Sequence, residues 1–322
     1  MIDSLHSPPL DTRDNSTLLC DKCLVLTVDK AYSLGIPVIF SDLASFWADK
    51  TVHVYVMHLD MTKRLQELFR ELFQRYFDGT IEFIKLQDSD FEGLVPFRGS
   101  YMTYARLLLE RYLDPRYDET FYCDTDIHLK HGLEEFEDVD MTGKAGVVVQ
   151  DQVLKNLMVD SPLLEKEQIE GVPYFNAGLV RINLDYWRKH RIMEQALKLA
   201  KEYPGGFKYC DQTILNHLLY KDVIYINYRN NCMIGNSREE KLCDSSTPLN
   251  IHFIGYQNPW DLLFHRQFIT EWRKEFNRIM GESPLSFAIK HFPKDFFIEH
   301  LRVYWNIVKS TLRRYKFIRT RN

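Results

Sequence analysis

Two carboxylates, Asp124 and Asp126, flank a single threonine in the stretch FYCDTDIHLK, residues 121–130. Residues i and i+2 of a regular strand point the same way. At a strand end, two such acids can converge on one hard cation. Mg²⁺ and Mn²⁺ take oxygen ligands and keep positions open for phosphate oxygens. A cation held there would bridge a diphosphate and neutralise its charge as it departs. The bland alternative is a pair of solvated turn acids. In either case Thr125 reads as a spacer.

The elements around the pair decide where it points. CLVLTV (23–28), TVHVYVMHL (51–59), TIEFIKL (80–86) and ETFYCDTD (119–126) read as strands. Between them, the apolar spacing predicts helices over 34–47, over 61–77 (stripe Leu65, Leu68, Phe69, Leu72, Phe73, Phe77) and over 103–113, stopping before Pro115. Further on, AGVVVQD (145–151), GLVRINLDYW (178–187) and DVIYINY (222–228) are strand-like, while 193–203 and 211–220 are helical, Asp211 being a candidate cap. Strands alternating with helices predict an α/β fold with a Rossmann-like sheet flanked by helices. Ligands bind such sheets beyond the C-terminal strand ends, where the strand order reverses. Asp124 and Asp126 therefore face a ligand cleft.

Bulk properties exclude several classes. The 322 residues are 45% hydrophobic and 27% charged, and the formal net charge of −4 gives no reason to expect nucleic-acid binding. Six scattered cysteines form no disulfide framework, and the lone Cys20/Cys23 pair lacks the second ligand pair of a zinc site. Residues 1–21 read as a flexible leader without the basic and apolar regions of a secretory signal. No window approaches the length of a membrane span.

Six blocks in order resemble glycosyltransferase family 8, the retaining nucleotide-sugar transferases that include lipooligosaccharide galactosyltransferases and glycogenin. They are TVDKAY (27–32), SYMTYARLLL (100–109), FYCDTDIHL (121–129), YFNAGLVRINLDYWR (174–188), CDQTILN (210–216) and IHFIGYQNPW (251–260). The resemblance implies a GT-A fold over residues 22–280 and a UDP-sugar donor. By position, Asp124, Asp126 and His252 would be metal ligands, a set that suits Mn²⁺ better than Mg²⁺. Asp29 and Tyr32 would hold uracil, Arg106 and Asp151 the donor sugar, and Asn176 would sit between sugar and acceptor. Asp211 and Gln212 would lie by the anomeric carbon, and Gly255 would let the backbone approach the diphosphate. The chain departs from the family pattern at Asn258, where a Lys usually balances the diphosphate. His265 or Arg266 are the nearest substitutes. Ala31, Arg98 and Thr213 differ as well, which leaves the donor open.

Two further readings compete. A haloacid-dehalogenase-like phosphatase also uses an apolar strand followed by two acids. It needs Thr or Val two residues after the second Asp, where this chain has His128, and downstream partners that the sequence lacks. A non-catalytic nucleotide-sugar binder or assembly partner is the alternative that Asn258 raises.

The C-terminal part changes character. Residues 290–322 carry nine Lys/Arg against two acids, a charge of +7 that leaves −11 for the remainder. Phe297, Leu301, Tyr304, Trp305, Val308, Leu312 and Tyr315 recur at helical spacing. Residues 281–322 are thus expected to form a basic amphipathic tail for an anionic membrane surface. The competing reading is a helix packed on the core with a solvated basic face. Together these features predict a cytoplasmic enzyme, peripheral on the inner face of the membrane, that transfers a hexose to an oligosaccharide or lipid-linked acceptor.

Overall fold

Strand β1 (Lys22–Val28) is buried from Cys23 onward, and its pleat feeds two cores. Leu24, Leu26 and Val28 enter one apolar cluster, while Cys23 and Val25 enter the other. An alternating strand that is apolar on both faces must be covered on both. The computed structural model describes residues 19–29, 31–97, 99–154, 173–235, 249–255, 258–261, 267–292 and Trp305. The expected leader, residues 1–21, lies outside these up to residue 18.

The strands β2 (Thr51–His58), β3 (Asp78–Lys85), β4 (Glu119–Cys123), β6 (Gly146–Gln150), β7 (Phe175–Asn183) and β8 (Val223–Ile226) complete a seven-stranded sheet in the order β3-β2-β1-β4-β7-β6-β8. Only β7 runs antiparallel to its neighbours, β4 and β6. The chain moves outward from β1 to β2 and β3, then returns to pair β4 with the other edge of β1. Such a reversal is where α/β sheets bind ligands, here at the C-terminal ends of β1 and β4. Leu26 pairs with Cys123, so Asp29 and Asp124 leave the sheet on the same side.

One face is covered by α1 (Ile36–Ala44) and α2 (Lys63–Tyr76). Helix α2 buries Leu65, Phe69, Leu72 and Phe73, and Thr62 caps it by accepting from the Leu65 N–H at 3.3 Å. The other face carries the 3₁₀ segment Met102–Leu108 with the short α3 (Leu109–Tyr112). The expected single helix over 103–113 is therefore mostly 3₁₀. That winding eclipses residues three apart, which brings Thr103 and Arg106 onto one side.

Two expectations are corrected. The strand-like run 178–187 breaks at Asn183, whose Oδ1 accepts from the Tyr186 N–H at 2.9 Å and starts helix α5 (Leu184–Lys189), beyond the short α4 (Glu134–Glu137). After α6 (Ile192–Glu202), helix α7 (Cys210–Leu219) has Tyr209 at its cap position. Asp211 lies inside the first turn and caps nothing.

The sequence did not suggest the second sheet. β5 (Ile127–Leu129), β9 (Cys232–Ile234) and β10 (Asn250–Phe253) form it in the order β5-β10-β9. β5 follows the two acids directly, and β10 pairs antiparallel with it, His252 opposite Ile127. The Phe253 N–H donates to the Asp126 carbonyl at 2.9 Å. Pairing with the three-residue β5 thus brings His252, on β10, to the acids.

Helices α8 (Gln267–Met280) and α9 (Pro284–His291) pack beside α1, joined through Trp260, Trp272, Phe276 and Phe287. Phe287 and Phe292 belong to the core cluster. The first residues of the expected tail are thus fastened to the body. Beyond residue 292 only Trp305 is described, and it is 58% exposed. The other aromatic positions of the expected stripe lie outside the described residues. Among the described residues no helix is long and apolar enough to cross a membrane. Phe287→Ala should lower stability by about 3–5 kcal/mol, read as a shifted urea midpoint. An unchanged midpoint would show that α9 is not part of the core.

Candidate functional site

The turn after β4 carries Asp124, Thr125 and Asp126, and β10 brings His252 against it. One ligand atom from each of Asp124, Asp126 and His252 lies within 4.8 Å of the others. His252 Nε2 is 3.3 Å from Asp126 Oδ1. Both side chains are buried, and among the described residues Asp126 Oδ1 makes no well-aligned hydrogen bond. A buried carboxylate oxygen paired only with an imidazole is costly, and a cation between the two would satisfy it. Burial raises the Asp126 pKa against the opposing pull of His252. For His252, burial alone would lower the pKa, but Asp126 and Asp124 outweigh it and raise it. The donor set, two carboxylates and an imidazole, fits Mn²⁺.

The space for this cluster exists because residue 178 has no side chain. A Cβ there would stand 2.4 Å from His252 Cε1 and 2.7 Å from Asp124 Oδ2. Its backbone also ties the turn, accepting from the Asp124 N–H at 2.7 Å. The sequence placed this glycine in YFNAG without giving it a role.

Arg106 balances the buried acids. Its guanidinium donates to Asp124 Oδ1 at 3.0 Å and to the Ala177 carbonyl, and it forms an ion pair with Asp211 Oδ2 at 2.8 Å. It also lies over the Tyr122 ring at 4.5 Å, and Tyr122 donates its hydroxyl to Asp124 Oδ1 at 2.7 Å. Asp211 accepts from Thr103 Oγ1 as well. Burial raises the Asp211 pKa, partly offset by Arg106. Burial also opposes the Arg106 charge, but Asp124, Tyr122 and Asp211 outweigh it and raise that pKa.

Asp151, Asn176 and Gln212 form a connected amide cluster. Gln212 Oε1 accepts from the Ala177 N–H at 3.1 Å and from Asn176 Nδ2 at 3.2 Å. Gln212 Nε2 donates to Asp151 Oδ2 at 3.3 Å. Asp151 Oδ1 accepts from the N–H groups of Val153 and Leu154. Cys210, at the start of α7, has φ 45°, a left-handed conformation unusual for a side-chain-bearing residue, and it sets the turn from which Asp211 and Gln212 project.

On the far side of the crevice, Asp29 Oδ1 accepts from the Tyr32 N–H at 3.1 Å, and burial raises the Asp29 pKa. The Tyr32 ring packs edge-on against Trp260 at 5.3 Å, and the Asn258 side chain lies near its hydroxyl. Asn258 thus faces Tyr32. Gly255 has φ 90° with nothing within 4 Å of a Cβ position, so conformation rather than crowding requires glycine there. Thr125 is more than a spacer. It is fully buried, and its hydroxyl donates to the Tyr32 carbonyl at 2.6 Å. A Cβ on Gly35 would meet the Thr125 carbonyl at 1.8 Å. These contacts lock the turn bearing Asp29 and Tyr32 onto the turn bearing the acids. Arg98, His265 and Arg266 lie outside the described residues.

The predicted residues therefore gather around one crevice at the reversal of the sheet. A family model for glycosyl transferase family 8 matches residues 23–263. The chain belongs to glycosyltransferase family 8. It is 30% identical over 247 residues to a lipopolysaccharide 1,2-glucosyltransferase of Escherichia coli, covering 72% of this chain and 71% of that one. A Haemophilus influenzae protein named as a glycosyltransferase is 28% identical over 186 residues, 56% of this chain, which spans about half (54%) of that relative's length. The galactosyltransferase LgtC, solved with donor and acceptor sugar analogues, shares the fold. Its TM-score is 0.65 at 23% identity, over 80% of this chain and 96% of that one. The family 8 chain accordingly has the GT-A architecture expected from its six blocks.

Gly178→Ala tests the geometry of the acids and the imidazole. The backbone there needs no special conformation, so the fold should persist by circular dichroism. Mn²⁺ affinity should fall at least about 100-fold, beyond the range seen for outer-shell losses. Unchanged affinity would show that the three groups do not share an ion.

Proposed function

We propose that this chain is a metal-dependent retaining glycosyltransferase. It moves galactose or glucose from a UDP-sugar to an oligosaccharide or lipid-linked acceptor, in the synthesis of bacterial lipopolysaccharide or surface polysaccharide. The observation that carries this reading is the Asp124–Asp126–His252 cluster at the sheet reversal, with Asp126 Oδ1 against the imidazole and in no well-aligned hydrogen bond. The lipopolysaccharide glucosyltransferase relative supports the substrate class.

In this reading Asp29 and Tyr32 hold the uracil, and Asp151, Asn176 and Arg106 surround the hexose. A Mn²⁺ or Mg²⁺ ion held by Asp124, Asp126 and His252 supplies charge neutralisation to the diphosphate. Arg106 holds Asp124 in position through hydrogen bonds to its carboxylate. Retention of configuration requires either a covalent intermediate or attack by the acceptor hydroxyl on the face the diphosphate leaves. The geometry favours the second. Gln212 Oε1 already accepts two hydrogen bonds, and Asp211 is tied to Arg106 and Thr103. The amide oxygen is thus a poor nucleophile, and the charge of Asp211 is already drawn to Arg106. The Gln212 carbonyl dipole can still stabilise an oxocarbenium-like centre.

Asn258 is the observation behind a second reading, a binder of nucleotide sugars without turnover, because a neutral amide facing Tyr32 cannot balance the diphosphate. The basic residues 290–322 fit an anionic bilayer. On that reading the protein works as a peripheral enzyme on the cytoplasmic face of the inner membrane, and the tail's partner is lipid and not nucleic acid.

With Mn²⁺, the protein should release UDP from UDP-glucose or UDP-galactose, and EDTA should stop it. Asp126→Asn should lower turnover about 100- to 1,000-fold. If no donor gives UDP, or if Asn258→Lys alone switches turnover on, the binder reading replaces this one. A chain truncated after Phe292 should keep UDP release but no longer sediment with phosphatidylserine-containing vesicles. Undiminished vesicle binding would reject the tail's role.

A further inference from the structure

Nothing in the sequence marks Asn231, in YRNNC, as a site residue. It is fully buried and ends the 3₁₀ turn Tyr228–Asn231, which runs straight into β9. β9 pairs in parallel with β10, Met233 opposite His252, so the register sets Asn231 beside the imidazole. Gln152 fastens the segment from both directions. Its Nε2 donates to the Asn231 carbonyl at 3.3 Å, and its Oε1 accepts from the Met233 N–H at 3.0 Å.

The direction of each hydrogen bond around Asn231 follows from one backbone group. The Gly178 N–H can only donate, and it donates to Asn176 Oδ1 at 2.9 Å. That oxygen then receives Asn231 Nδ2, also at 2.9 Å. Asn231 Oδ1 is thereby turned to His252 Nδ1, 3.0 Å away. A carbonyl oxygen only accepts, so Nδ1 carries the proton. Nε2 is left facing Asp126, so that in the neutral imidazole its lone pair would be directed at a cation shared with that carboxylate.

We infer that Asn231 is a positioning residue, which fixes the tautomer and aim of His252 for a divalent cation and ties that imidazole to Asn176 on the sugar side. The inference rests on the metal reading proposed above. Outer-shell acceptors on a ligating histidine govern affinity in this way. A purely space-filling role would depend on side-chain volume and not on an acceptor opposite Nδ1.

The test compares Asn231→Asp, which keeps the acceptor, with the near-isosteric Asn231→Leu, which removes it. Free Mn²⁺ is read by electron paramagnetic resonance on full-length protein. Asn231→Leu should weaken Mn²⁺ binding about 10- to 100-fold. Asn231→Asp should stay within about threefold of the wild type, with slower UDP release because Asn176 loses its donor. Equal weakening by both, or by neither, overturns the inference. If the leucine variant does not fold, the wild type still decides it. Long-range ¹H–¹⁵N correlation spectra of the metal-free protein at alkaline pH should show His252 protonated at Nδ1, and protonation at Nε2 refutes it. If the wild type binds no Mn²⁺, the metal reading fails separately, while the tautomer spectrum still judges Asn231.

Discussion

Carboxylates gathered in an interior repel one another and resist desolvation, and this constraint organises the crevice. Asp124, Asp126 and Asp211 meet near the reversal of the sheet, with Arg106 and His252 as the counter-groups beside them. Arg106 joins Asp124 to Asp211, and it is held by the Ala177 carbonyl and the Tyr122 ring. Such a group is stable only when every charge is paired or coordinated. Asp126 Oδ1 has only the imidazole of His252 beside it, 3.3 Å away and without a well-aligned hydrogen bond, so a cation shared by the two would complete the cluster.

The rest of the fold reads as the means of holding that cluster. The large sheet brings the ends of β1 and β4 together, and the small sheet lays His252 over the acids. Gly178 vacates the volume the three side chains need, and Thr125 with Gly35 clamps the base-side turn to the acidic turn. The Asp29–Tyr32 turn, the Asp124–Asp126–His252 cluster and the Asn176–Gln212 pair are thus mechanically continuous. A displacement at one is felt at the others.

Much of this was legible in the chain. Long apolar strands and the amphipathic α2 carry their periods openly, and six ordered blocks identified the family. What escaped detection had short or shared signals. β5 is three residues long, too short for any period to show. Asn183 starts a helix inside an apolar run, where its capping bond competes with strand continuation. The 3₁₀ winding of 102–108 looks helical by spacing, yet it is this tighter turn that aligns Thr103 with Arg106. Gly178 and Asn231 act through what lies opposite them in space, and neither has a local pattern. The membrane tail remains a proposal from charge and aromatic spacing, because most of it lies beyond the described residues.

The account depends on one ion shared by two carboxylates and an imidazole. Crystals grown with Mn²⁺ and UDP, measured at the manganese absorption edge, test this directly. The account predicts a single strong anomalous peak bounded by Asp124, Asp126 and His252 Nε2, with UDP density reaching from it toward Asp29 and Tyr32. A peak elsewhere, or ordered UDP in that crevice with no peak beside these three residues, would contradict it.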